Sequence, residues 1–149
     1  MPLSSLHFLQ YSLVNHFVVI NLETTGLISR NSMPLAHITR IACLDVKSKE
    51  KFSTYVLPKQ QLDANVERAT DIVFDGTSLY VRGQRVAAIP IKEALDNFLE
   101  WLKKFRDVVL LAHNKRVFDF RVLCSAITSV TYRKYSEKLL PHLLTLLVS

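Results

Sequence analysis

Residues 17–27 read FVVINLETTGL. Residues 17–22 are apolar or β-branched apart from Asn21, and a short run of that kind reads as a buried strand. Thr24-Thr25-Gly26 closes it in a turn. Side chains two apart on a strand share a face. Asn21 and Glu23 therefore project together where the strand meets its turn. Two carboxylates at that spacing would suit a hard cation such as Mg²⁺, which takes oxygen ligands. Here one of the two is an amide.

Outward from this strand, residues 38–46 (ITRIACLDV) and 52–57 (FSTYVL) read as two more strands. A polar turn at 47–50 separates them, and Pro58 halts the third. Short turns between successive strands predict an antiparallel meander with the first, most apolar strand at its centre. Residues 64–72 read as a short helix. Residues 75–90 read as a loop, with turn signals at Asp75-Gly76 and Arg82-Gly83. After Pro90, the residues Ile91, Leu95, Phe98, Leu99, Leu102 and Phe105 recur at helical steps. Proline is well placed in the first turn of such a helix. Residues 108–112 (VVLLA) read as a strand buried on both faces, and 118–127 as a second amphipathic helix. Residues 138–148 look helical, interrupted by Pro141. The sum is a mixed α/β chain of order βββααβα. Trp101, Phe98 and Phe105 read as core packing, and Cys43 and Cys124 as small buried hydrophobes.

A second stretch, LLAHNKRVFDF at 110–120, runs from the buried strand through a polar loop into a helix. Asp119 falls in the first turn of that helix, where a negative charge is favourable. By itself that placement is enough to account for the residue.

Taken together, VINLETTGL and LLAHNKRVFDF resemble the first and second motifs of the DEDD-type 3′–5′ exonucleases, in their DEDDh group. These have an RNase H-like fold. The spacer Lys115-Arg116-Val117 between Asn114 and Phe118 matches the longer spacing of the three-prime repair exonucleases. It also matches the exonuclease-like C-terminal region of promyelocytic leukaemia protein. The resemblance covers residues 16–128. It implies an exonuclease-like domain over 16–149 behind an N-terminal extension, 1–15. In that family four carboxylates hold two Mg²⁺ or Mn²⁺ ions, which clamp the attacking water and the leaving oxygen. Carried over residue by residue, the resemblance makes Glu23 and Asp119 catalytic metal ligands. Thr24, Thr25, Gly26 and Leu27 become the turn that receives the terminal nucleotide, and Asn114 the amide of the second motif. Lys115 and Arg116 would meet phosphate.

Two departures stand out. The family's leading aspartate is Asn21 here. Losing one charge about 4 Å from a divalent ion costs on the order of 8 kcal/mol at an effective dielectric of about 20. Even a quarter of that exceeds tenfold in affinity. The third motif, a His followed five residues later by Asp, is also missing. No Asp follows Asp119, and five residues after His142 stands Leu147. The expectation is a catalytically impaired domain with weak Mg²⁺ or Mn²⁺ binding, truncated before the family's last helix. Its expected partner is a single-stranded 3′ end of DNA or RNA. The alternative is a protein-interaction module on a degenerate exonuclease fold. A missing helix would expose apolar surface and favour self-association.

Composition agrees with one domain. The chain has 149 residues, 19 basic and 13 acidic, for a net charge of +6. Residues 1–100 carry 10 of each sign, so the whole excess lies in residues 101–149 and points that third toward a polyanion. A hydrophobic share of 49% against 21% charged excludes a disordered chain. Two cysteines make neither a disulfide scaffold nor a zinc spacing. A reducing intracellular compartment, nuclear or cytoplasmic, is expected. The longest apolar run, 108–112, is far short of a membrane span. The N-terminus lacks the basic region of a signal peptide.

Overall fold

The first strand, β1 (His16–Thr24), lies inside a six-stranded sheet. This computed structural model describes residues 16–26, 36–113, 117–130 and 144–148. Antiparallel to β1 runs β2 (Ile38–Asp45), and antiparallel to that β3 (Lys51–Val56). Then come α1 (Ala64–Thr70), three short strands β4 (Ile72–Phe74), β5 (Leu79–Val81) and β6 (Gln84–Val86), and β7 (Ala88–Ile89). The chain continues through α2 (Ile91–Leu102), β8 (Val108–His113), α3 (Val117–Val130) and β9 (Leu144–Val148). The main sheet has the order β7-β3-β2-β1-β8-β9, with β8 parallel to β1 and β9 parallel to β8.

Alternation along β1 decides which side is core. Val18, Ile20 and Leu22 are buried and share a face with Ile41 and Cys43 of β2. Leu95, Phe98, Leu99 and Leu102 of α2 and Val122 and Leu123 of α3 cover that face. Phe52 of β3 packs on Phe98 and Trp101, with ring centroids 5.9 and 5.8 Å apart, and Trp101 meets Phe105 edge-on. Burying a Phe side chain of this kind contributes about 1.5–3 kcal/mol. With the even positions of β1 in the core, Asn21 and Glu23 project from the other face.

The structure corrects three expectations. Residues 75–90 are not a loop, because they hold β5, β6 and β7, and β4-β5-β6 form a second, antiparallel sheet. The two turn signals are hairpin turns. Arg82 (φ 51) and Gly83 (φ 76) both adopt the left-handed conformation that a two-residue type I′ hairpin demands. The Asp75 side chain accepts hydrogen bonds from the Thr77 and Ser78 N–H groups at 2.8 and 2.7 Å. Strands three residues long are too short to show a period of two, so only their turns were visible. Ile72, Phe74 and Leu79 form a second core with Leu62 and Val66 of the α1 region, backed by Tyr55 and Leu57.

Within the helix-like tail, residues 144–148 are instead β9. Its LTLLV run pairs with β8 from Val109↔Leu144 to His113↔Val148. A short apolar run suits helix or strand equally, and the hydrogen bonds offered by β8 decide. Residues 138–143 and the extension 1–15 lie outside the described residues. The third correction concerns Cys124, which is exposed, because α3 turns Val122 and Leu123 to the core and position 124 away from it. Cys43 is buried as expected, and burial pushes its thiol pKa up to about 12. Among the described residues no helix is long and apolar enough to cross a membrane.

Candidate functional site

At the carboxyl end of β1, Asn21 is exposed and Glu23 half-buried. The Asn21 Nδ2 group donates to Glu23 Oε1 at 3.3 Å. An amide beside a carboxylate turns its donor toward the charge, so what Glu23 meets across the pair is N–H, not a second anionic oxygen. Among the described residues no group of three or more His, Cys, Asp or Glu side chains is placed to hold a metal ion. One carboxylate and one amide donor do not by themselves fit a divalent metal centre, whose ligands are oxygens.

The turn that follows is tied to the rest of the fold. Thr24 Oγ1 donates to the Gly26 carbonyl at 2.9 Å. Thr25 is 1% exposed. Its hydroxyl oxygen accepts the His37 N–H at 3.0 Å and a hydrogen bond from Gln60 Nε2. Its own N–H donates to the His37 carbonyl at 2.9 Å, and its carbonyl accepts the Asp63 N–H at 2.8 Å. A Cβ on Gly26 would lie 2.8 Å from Asp63 Oδ2, so a larger residue there would have to push the Asp63 carboxylate aside. The His37 ring, pushed toward neutrality by burial and then by the charge of Lys59, accepts the Lys59 N–H through Nδ1 at 3.0 Å. The turn thus joins β1, β2 and the start of α1.

The second stretch arrives at the same end of the sheet. β8 runs parallel to β1, with Ile20 beside Ala112, so β8 ends at the level of Asn21, three residues before β1 does. In open sheets, ligands bind outside the carboxyl ends of parallel strands. Asp119 lies in the first turn of α3, which follows β8. Leu27, Asn114, Lys115 and Arg116 lie outside the described residues.

Other residues at this end were not singled out from the sequence. The register places Glu23 opposite Arg40 and Arg40 opposite Tyr55, a row across three strands. The Arg40 guanidinium sits 5.4 Å from the Tyr55 ring centroid. Beside this row opens a cleft of about 550 Å³, lined by Glu23, Arg40, Tyr55, Arg82, Gln84 and Arg85 among others. Alternation along β2 puts Arg40 on the outer face, but only strand pairing reveals its neighbours.

The start of β1 carries a different pair. His16 Nδ1 lies 3.0 Å from Asp45 Oδ2, and the Ser48 N–H donates to the same oxygen at 2.9 Å. Asp45 is 0% exposed, and the His16 ring packs on Phe105 at 4.8 Å. Burial raises the Asp45 pKa, but the hydrogen bonds from Ser48 and His16 outweigh it, and the carboxyl stays below its usual range.

No protein-family model matches the chain, and no curated protein does. Solved structures do. The zinc-ion-bound form of E. coli exonuclease I with single-stranded DNA superposes with a TM-score of 0.64 at 16% identity, over 89% of this chain and 28% of that one. Apo exonuclease I gives 0.64 at 16%, over 89% and 29%. The E. coli enzyme with a dT13 oligonucleotide gives 0.62 at 16%, over 88% and 27%. The fold is RNase H-like. At this identity the likeness is one of fold. The chain spans less than a third of the exonuclease I chains it matches.

Proposed function

We propose that residues 16–149 form an exonuclease-type domain that binds a single-stranded 3′ end of DNA or RNA and hydrolyses it slowly or not at all. The observation that carries this reading is the Asn21–Glu23 pair at the carboxyl end of β1, with the amide donating to the carboxylate. It is supported by a fold shared with exonuclease I, whose structures include complexes with single-stranded DNA and dT13. The resemblance of 16–128 to three-prime repair exonucleases and to the promyelocytic leukaemia protein region adds the roles. Thr24 to Leu27 and Asn114 would receive the terminal nucleotide, and Lys115 and Arg116 its phosphates. Glu23 and Asp119 would hold Mg²⁺ or Mn²⁺ weakly, because the charge that an aspartate would supply at position 21 is absent.

Incubation with single-stranded and 3′-tailed DNA in Mg²⁺ or Mn²⁺ tests the catalytic half. Little or no shortening is expected, and efficient shortening that Glu23→Ala abolishes would overturn it. Binding of a labelled oligonucleotide across a salt series tests the other half. Affinity should fall steeply with salt, by roughly 0.7 in log K per log salt for each phosphate neutralised on a single strand. Absence of binding at low salt would favour the protein-interaction module instead.

A further inference from the structure

We propose that the cleft between the main sheet and the β4–β6 sheet is a second contact site for a nucleic-acid backbone, continuous with the end of β1. The assignment rests on the nucleic-acid reading above, and it adds a surface whose arginines lie in neither motif. Three guanidinium groups, Arg40, Arg82 and Arg85, line the cleft against one carboxylate, Glu23. Its volume of about 550 Å³ falls within the ~300–1,000 Å³ of small-ligand pockets.

The arginines come from separate elements and are held differently. Arg40 is fixed from β2, stacked over Tyr55 and donating through Nε to Ser53 Oγ at 3.3 Å. Arg85 stands on β6 opposite Tyr80 and has no ion pair with a described residue. Arg82 meets Asp71 only at 3.7 Å, with the two side chains 83% and 59% exposed. Such an exposed pair is worth little, so a phosphate can replace the carboxylate. Arg82 also holds a left-handed backbone conformation (φ 51) that asparagine or glycine adopts more readily. The turn alone does not call for an arginine there.

The chemistry favours a phosphodiester chain. Guanidinium groups pair with phosphate oxygens through two parallel N–H···O bonds. A nucleic-acid strand repeats one such charge per residue and carries planar bases that can stack on the Arg40–Tyr55 row. Because Glu23 lines the cleft and also pairs with Asn21, a strand lying along the arginines arrives at the end of β1 without leaving the surface.

The test compares two double variants of the full chain for binding of a labelled oligothymidylate by fluorescence anisotropy over a salt series. Arg82→Asn with Arg85→Gln empties the cleft of two charges, and Lys115→Ala with Arg116→Ala removes two charges from the second motif. Asparagine suits the turn, so the melting temperature of the cleft variant should be unchanged or higher. Its affinity at low salt should be about tenfold weaker, and its salt slope shallower by about 0.7 for each phosphate that is no longer neutralised. If the wild type binds and only the Lys115–Arg116 variant weakens it, the cleft assignment is overturned while the nucleic-acid reading survives. If the wild type does not bind, the nucleic-acid reading itself falls. If polyglutamate of equal charge displaces the oligonucleotide as well as unlabelled oligothymidylate does, the cleft is an acidic-peptide site and the proposal is wrong.

Discussion

The two ends of β1 carry similar pairs in opposite settings. At one end an imidazole nitrogen meets Asp45 at 3.0 Å, and at the other an amide nitrogen meets Glu23 at 3.3 Å. Asp45 is closed in, with Phe105 packed on the histidine and Ser48 on the carboxylate. Glu23 opens onto a cleft. Burial and the number of hydrogen-bond partners, not residue type, separate an acid that holds the fold from one that faces an open cleft.

The largest effect should come from Asp45→Ala. It leaves the Ser48 N–H and the His16 ring without their acceptor, at a cost of about 1–3 kcal/mol. Urea denaturation should show the loss, with oligonucleotide binding unchanged once the protein is folded. Impaired binding by the folded variant would break the contrast between the two ends. The same group sets an acid limit. Because its folded pKa is depressed, its contribution is present above the unfolded value and is lost as the pH falls through the folded one. Stability should therefore decline from about pH 4 downward, and Asp45→Asn should flatten that decline.

Next in size is Asn21→Asp at the open end. A second carboxylate beside Glu23 should raise Mn²⁺ affinity by more than about tenfold, as measured by titration calorimetry. Hydrolysis of the 3′ end by these 149 residues should not appear, since residues 120–149 hold no His followed five residues later by Asp. Unchanged metal affinity would mean that the open end is not built toward a cation even with its charge restored. The smallest effect is that of Glu23→Gln on stability, within about 0.5 kcal/mol in thermal melts. A larger loss would place Glu23 with Asp45 among the structural acids.

Strong patterns made β1, α2 and β8 legible in the sequence. β1 and β8 are built on apolar, β-branched runs, and α2 repeats apolar residues over three turns. Period two along β1 was also enough to put Asn21 and Glu23 side by side. The β4–β6 sheet escaped because three-residue strands carry no period, and β9 because LTLLV is ambiguous until β8 lies next to it. The cleft escaped for a different reason. Its arginines sit in residues 1–100, whose charges sum to zero, while the count pointed to residues 101–149. Charge totals along a chain miss a patch that strand pairing assembles from positions as far apart as Arg40 and Arg85.

The turn after β1 has one more consequence. Thr25 uses its backbone and hydroxyl to join three elements, and Gly26 makes room for the Asp63 carboxylate. A chain built on this joint uses these residues to fold, whatever chemistry its surface carries. Matching residues at this turn therefore attest a joint between three elements, and by themselves say nothing of whether a phosphodiester is cut.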